Sequence, residues 1–81
     1  MAAIPLLDLP PGSRGTLVLS GGEERTRHRL RELGFVAGTE VSVVRRMPLG
    51  GAVEVSIRGC RVCVRRQDLE GLQVLPIEAA P

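Results

Sequence analysis

The residues of this 81-residue chain with the most capacity for chemistry are two cysteines and one histidine. Cys60 and Cys63 have the C-x2-C spacing of zinc sites and redox motifs. A structural zinc site needs four ligands, and beyond this pair the chain offers only His28 among Cys and His. The two cysteines are therefore weak metal candidates, and we predict no metal site and no cofactor.

The strands that carry the cysteines argue further against a shared ion. Apolar and polar residues alternate on both sides of Arg58-Gly59, and a two-residue turn there pairs Ile57 with Cys60. This register places every apolar pair on one face. Cys60 and Cys63 then lie on opposite faces, about 10 Å apart at ~3.3 Å per residue, which is too far for a disulfide. We expect Cys60 to be a small core residue and Cys63 a small outer-face residue.

The other constellations that could support catalysis are missing from the sequence. We find no Ser/His/Asp grouping, no phosphate-binding glycine loop and no pair of carboxylates placed for acid–base work. His28 is expected at the surface, between Glu24 and Glu32 at a spacing of four residues. The sequence therefore predicts a protein that is not an enzyme.

Charge is the second chemical feature. The chain has eleven Arg, no Lys and a net charge of +2, but residues 25–66 hold ten Arg against three Glu, a net charge of +7. Arginines alternate from Arg25 to Arg31 on one short helix, where like charges four residues apart are unfavourable. This pattern favours an acidic partner, although a solvated face explains it equally well. Nucleic acid is an alternative partner, but the chain has a single aromatic ring for bases to stack on.

Short strands and one helix must position these residues. We predict strands over 16–19, 40–46, 53–57, 60–65 and 72–75, a helix over 23–33, a helical turn over 66–71, and a docked N-terminal turn within 1–13 that lays leucines on the core. Ser20-x-x-Glu23 resembles a capping box, and the Val43-Val44 pair indicates a bulge or burial on both faces. The fold class is mostly β, a small five-stranded barrel with one short α-helix. Residues 1–81 form one domain, with its core at about 6–75, a flexible tail at 76–81, and open edges near 14–20 and 72–75.

The predicted helix carries its own packing signals. Leu30 and Leu33 share a face with Thr26, so both leucines are expected in the core. Gly34 supplies the left-handed residue that ends a helix, and Phe35 is placed to pack back on the last turn. The chain shows neither a basic leader nor a run near the ~20 apolar residues of a membrane helix, so a cytoplasmic protein is expected.

Residues 29–41, Arg-Leu-Arg-Glu-Leu-Gly-Phe-Val-Ala-Gly-Thr-Glu-Val, resemble the signature of the ferrous iron transport protein A (FeoA) family. The lead-in from Leu6 to Gly15, the loop 48–51 and the segment 59–66 resemble that family in the same order. The resemblance includes Leu30, Leu33, Gly34, Phe35, Gly38 and Gly59 as structural motif residues. It departs from the usual pattern at Ala52, where proline is common, and at the two cysteines.

This resemblance implies an SH3-like barrel that serves as a cytosolic accessory of the membrane ferrous iron transporter, ferrous iron transport protein B, which carries a GTPase domain. The expected contact residues are a leucine-bearing rim and the arginine-rich helix beside it, namely Leu6, Leu9, Arg27, Arg31 and Leu49. An SH3-like nucleic-acid-binding module and a regulator that binds ferrous iron directly are the alternatives. Neither membrane insertion nor nucleic-acid binding is expected from the preferred interpretation, and the oligomeric state is left open.

Overall fold

The computed structural model of the chain describes residues 2–20 and 23–77. Most of these residues that have regular structure are in strands, with one α-helix and two short 3-10 helices. The predicted mostly β fold class is confirmed. In chain order the elements are β1 (Ile4–Pro5), the first 3-10 helix (Leu6–Asp8), β2 (Arg14–Ser20), α1 (Glu24–Leu33), β3 (Glu40–Arg46), β4 (Ala52–Ile57), β5 (Cys60–Arg65), the second 3-10 helix (Arg66–Leu69) and β6 (Leu72–Ile77).

The strands form one antiparallel sheet in the order β1-β6-β2-β3-β4-β5. Five of them are the predicted strands, and the additional one is the two-residue β1. β2 and β6 are longer than predicted, and β6 includes Pro76 and Ile77, so the predicted tail at 76–81 is wrong for these two residues. Residues 78–81 lie outside the described part of the chain. Within the described residues β1 and β5 are the edges and do not pair with each other, so hydrogen bonds leave the barrel open. The prediction of open edges near 14–20 and 72–75 is wrong, because β2 and β6 pair with each other inside the sheet.

The β4–β5 hairpin has the predicted register. Ile57 lies opposite Cys60, and the pairing continues in step to Ala52 opposite Arg65. The two turn residues have positive φ angles, 53° at Arg58 and 79° at Gly59, as the primed hairpin turns require. This turn fixes which face of each strand points into the core.

The helix α1 begins one residue later than predicted and ends as predicted. Its N-cap is Glu23, without a side-chain capping bond. The Ser20 capping box is therefore wrong, because Ser20 is the last residue of β2; Gly21 and Gly22 lie outside the described residues. Gly34 ends the helix at φ 108°, where only glycine is unstrained. The Phe35 N–H then donates to the Leu30 carbonyl at 3.0 Å, which turns the Phe35 ring into the core.

The core is aliphatic except for this one ring, and no polar or charged residue of the described chain is buried. Its members are Leu6, Leu9, Leu17, Leu30, Phe35, Val41, Val43, Val53, Val55, Ile57, Val64, Leu69, Leu72 and Val74.

The N-terminal segment docks on this core and corrects one prediction. Leu6 and Leu9 were expected on the partner-binding rim, but they are 0% and 2% exposed. The Arg46 guanidinium donates to the carbonyls of Leu7 and Leu9, at 2.5 and 3.1 Å, and holds the segment against the end of β3. Both leucines are therefore structural residues and are unavailable to a partner.

Leu33 is a second correction, since its exposed fraction is 43%. The helix buries a single residue, Leu30, and it ends immediately after Leu33. After the reversal at Gly34, Phe35 and not Leu33 is the second large side chain that this region buries. Helical periodicity identifies the face of Leu33 correctly but not how far the core extends beneath that face.

Substitution by alanine should distinguish the buried Leu6 from the exposed Leu33. We expect Leu6→Ala to lower the free energy of unfolding by about 2–5 kcal/mol, because it leaves a cavity among buried neighbours. Leu33→Ala should cost under about 1 kcal/mol, since the side chain is largely solvated and alanine favours the helix. Urea denaturation followed by circular dichroism measures both. Equal losses for the two variants would contradict the assignment of Leu33 to the surface.

Candidate functional site

The arginines of α1 differ in how far their charge is compensated. Arg27 donates to Glu24 one turn earlier, and this hydrogen bond together with the charge of Arg27 holds the pKa of the Glu24 carboxyl below its ordinary value. Arg29 reaches Asp68 of the second 3-10 helix at 3.3 Å. Arg25 and Arg31 make no ion pair with any carboxylate in the described part of the chain. We use the name arginine face for the surface of α1 that these four residues cover; at about 100° per residue, Arg25 and Arg29 lie at one side of it and Arg27 and Arg31 at the other. Arg27 is half-buried and the others are exposed.

His28 completes the outer surface of the helix. Its Nε2 atom lies 2.8 Å from Oε1 of Glu32, and both side chains are about two-thirds exposed. The predicted pairing of His28 with a carboxylate one turn away is confirmed, and it makes His28 part of a solvated helix surface.

The β3–β4 loop presents an apolar side chain directly to solvent. Leu49 is 98% exposed, so it contributes no burial to the fold. Two backbone hydrogen bonds hold the loop. The Met47 N–H donates to the Ala52 carbonyl at 3.0 Å, and the Gly50 N–H donates to the Met47 carbonyl at 3.1 Å. The loop therefore holds Leu49 on a short, braced turn.

The second 3-10 helix connects this loop to α1. Its first residue, Arg66, donates its N–H to the Gly51 carbonyl at 3.2 Å. Two residues later Asp68 accepts the bond from Arg29. The β3–β4 loop and one residue of the arginine face, Arg29, therefore contact the same short element. Of the predicted contact residues, Arg31 and Leu49 lie at the surface, Arg27 lies there in part, and Leu6 and Leu9 do not.

An ion-pair cluster that the sequence only partly indicated lies on the outer face of β3, β4 and β5. Glu54 is 14% exposed and accepts from Arg45 at 2.8 Å, while Arg61 approaches at 4.0 Å. Glu54 raises the pKa of Arg45 through this hydrogen bond and its charge. The hairpin register alone places Arg61 and Arg65 diagonal to Glu54, whereas nothing in the sequence pointed to the contact with Arg45. The bulge at Val44, which the broken alternation indicated, shifts the register so that Arg45 lies opposite Glu54.

A shallow polar cleft of about 360 Å³ lies beside the hairpin turn, and sequence reasoning gave no sign of it. Its one carboxylate, Glu40, already accepts a bond from Arg14 at 3.2 Å. A single paired carboxylate does not provide the acid and base that hydrolytic chemistry requires. The cleft is lined by Thr39, Glu40, Ser42, Ser56, Arg58 and Gly59.

Both cysteines are free and exposed. The expectation that Cys60 is a core residue is wrong, although its register opposite Ile57 is right. Burial decreases along the inward face of β5, from buried Val64 through half-buried Val62 to exposed Cys60. Ile57 of β4, directly opposite Cys60, is buried, so only β5, which is an edge strand, loses contact with the core toward the turn. Among the described residues no three His, Cys, Asp or Glu side chains are grouped as a metal site would need.

The part of the chain that the structure describes contains no helix with both the length and the apolar character to cross a membrane.

Comparison with solved structures defines the class first. The chain resembles the zinc-complexed FeoA of Stenotrophomonas maltophilia, described as a prokaryotic SH3 domain protein, with 28% identity over 91% of this chain and 89% of that one and a TM-score of 0.70. A manganese-dependent transcriptional repressor shares the fold alone, with 18% identity, 95% coverage of this chain, 38% of that chain and a TM-score of 0.87. The protein is therefore an SH3-like β domain.

The family follows from the sequence. The model of the FeoA domain matches residues 4–76, and the chain belongs to this family. FeoA of Chlorobium tepidum is similar, with 32% identity over 96% of this chain and 74% of that one and a TM-score of 0.86. No curated protein sequence matches the chain. Family membership implies involvement in ferrous iron transport.

The exposure of both cysteines can be measured directly. We expect the native, reduced chain to release two equivalents of thionitrobenzoate from Ellman's reagent without denaturant, because both thiols are open to solvent. A single equivalent, with the second released only in guanidinium chloride, would instead support the original placement of Cys60 in the core. Cys60→Ser and Cys63→Ser identify which thiol reacts.

Proposed function

We propose that the chain is a cytoplasmic, non-enzymatic accessory protein that binds the cytosolic, GTPase-bearing part of ferrous iron transport protein B and modulates iron uptake. In this proposal the chain acts as one domain. The proposed contact surface consists of Leu49 and the arginine face of α1. Membership of the FeoA family supports the biological role, and the exposed side chains on either side of the second 3-10 helix support the location.

The observation that carries the proposal is the exposure of Leu49. At 98% it is far more exposed than Leu33 and Val18, the other large apolar side chains at the described surface, at 43% and 38%. An isolated exposed leucine is common on monomers. Here, however, it lies at the tip of a braced loop, where burial in a partner's pocket would recover its apolar area with little loss of loop entropy.

The charge of the arginine face supports an acidic partner. Arg25 and Arg31 form no ion pair with a carboxylate among the described residues, so their guanidinium groups are open to an approaching acidic surface. Exposed charges of this kind steer association and set its salt dependence more than they add affinity. Leu49 would therefore provide most of the affinity, and the arginines would provide orientation and speed of association.

Leu49→Ser tests the apolar part of the surface. We expect binding to the purified cytosolic part of the transporter to weaken by about tenfold or more, since burial of a leucine side chain is worth roughly 1.5–3 kcal/mol. The variant should unfold at the same urea concentration as the parent chain, because the side chain makes no core contact. Val18→Thr is the matched control, and calorimetric titration is the measurement. Unchanged affinity for Leu49→Ser would remove this residue from the interface.

Charge reversal tests the arginine face. Arg25→Glu/Arg31→Glu should slow association with the transporter fragment by about tenfold at low salt, and the difference should shrink as salt screens it. Arg14→Glu/Arg58→Glu changes the net charge equally on other elements and serves as the control. Stopped-flow measurements at rising salt concentration give the rates. The same loss in both double variants would indicate nonspecific attraction rather than a defined surface.

A further inference from the structure

The free edge of β5 is an unused hydrogen-bonding surface. β5 pairs with β4 along one side, and no strand of residues 2–20 or 23–77 pairs with its other side. The edge is six residues long, whereas the opposite edge of the sheet, β1, has two residues and one of them is proline. β5 is therefore the longer of the two places where this sheet can accept another strand.

The hairpin register identifies the backbone groups that face this edge. A two-residue turn makes Ile57 and Cys60 a hydrogen-bonded pair, and such pairs then recur at every second residue. Val62 and Val64 consequently bond to β4, and the bond from Arg66 N–H to the Gly51 carbonyl at 3.2 Å continues the series. The N–H and C=O groups of the intervening residues, Arg61, Cys63 and Arg65, therefore point away from β4.

The same three residues carry the outward side chains. Arg61, Cys63 and Arg65 are all exposed, and the Arg61 side chain has a relative exposure of 72%. On the inward face Val64 is buried, but Val62 is only half-buried. The edge therefore combines open backbone donors and acceptors, two cations on the outer face and an incompletely covered valine on the inner face.

We propose that the β5 edge binds an extended acidic segment of a partner protein by strand addition. Residues directly opposite each other in a β-sheet share a face, so acidic residues opposite Arg61 and Arg65 must be four positions apart in the segment. Apolar residues between them would cover Val62. β4, which pairs with the other side of β5, already has this alternation of apolar and acidic residues at Val53, Glu54 and Val55.

Charge disfavours a second copy of β5 as the occupant. Antiparallel pairing of two β5 edges about Cys63 places Arg61 of each copy opposite Arg65 of the other. Like charges directly opposite each other are destabilising, and arginines on an edge protect it from self-association. An acidic segment reverses the sign of both interactions.

A synthetic peptide tests this site without the transporter, so its outcome is independent of the proposed role of Leu49. The probe is acetyl-Thr-Glu-Val-Ser-Val-Glu-Thr-amide, in which the two glutamates are four residues apart. Titrated into the ¹⁵N-labelled chain, it should slow amide hydrogen exchange at Arg61, Cys63 and Arg65. Cys60, Val62 and Val64 should change little, because their amides already bond to β4. Uniform changes, changes confined to α1, or no change at millimolar peptide would overturn the proposal.

Matched variants separate backbone pairing from charge attraction. Cys63→Pro removes one N–H from the free edge without removing a bond to β4 and should abolish binding, whereas Cys63→Ala should retain it. Arg61→Glu/Arg65→Glu should weaken binding about tenfold, and Arg25→Glu/Arg31→Glu, with the same net charge, should not. If Cys63→Pro fails to fold, the two charge variants decide. Equal weakening by both, or sedimentation of the peptide-free chain as a dimer through β5, would count against an acidic segment at this edge.

Discussion

The inner face of an open sheet must be covered from water, and the other features of this molecule depend on that constraint. The strands curve around an aliphatic core, but within residues 2–20 and 23–77 no strand pairing closes the barrel, so other elements must keep water from the inner face. Leu6 and Leu9 enter from the N-terminal segment, Leu30 from α1 and Leu69 from the second 3-10 helix. Arg46 fixes the first of these elements through two backbone carbonyls without burying its charge. Four leucines from three short elements therefore complete the core of the open sheet.

Because several elements share the core, α1 needs few core contacts, and this explains how so small a domain tolerates an arginine-rich helix. Only Leu30 of α1 is buried, and Phe35 completes the contact after the helix has ended. The remaining faces of the helix are released from packing, so like charges cost only weak repulsion in water. Two of the four arginines are compensated by Glu24 and Asp68, and compensation of this kind orders the helix without neutralising it.

Sequence reasoning predicted the features that a local rule determines, and it failed for the depth at which side chains are buried. The alternation around Gly59 determined the hairpin register, because a one-residue slip would expose every valine. Gly34 and Phe35 followed from the chemistry of helix ends. Leu33 and Cys60 were placed on the correct faces but at the wrong depth, since periodicity carries no information on where a core layer stops. A docked N-terminal turn was predicted, but Leu6 and Leu9 were assigned to the partner-binding rim and not to the buried leucines of that turn. The hydrogen bonds that hold the turn come from Arg46, 37 residues or more away in the chain.

The two basic surfaces left by this architecture differ in what they can recognise. In α1 the backbone of the helix is satisfied internally, so its arginines offer charge but little geometry, and a partner there is selected chiefly by its electrostatic potential and by a pocket for Leu49. Along β5 the backbone itself is open, and its hydrogen bonds impose direction and a two-residue register on whatever binds. Charge on such an edge selects between partners as well as attracting them. It disfavours a second copy of the strand and favours an acidic segment. If both surfaces bind as proposed, the domain distinguishes two kinds of protein surface by using side chains at one and main chain at the other.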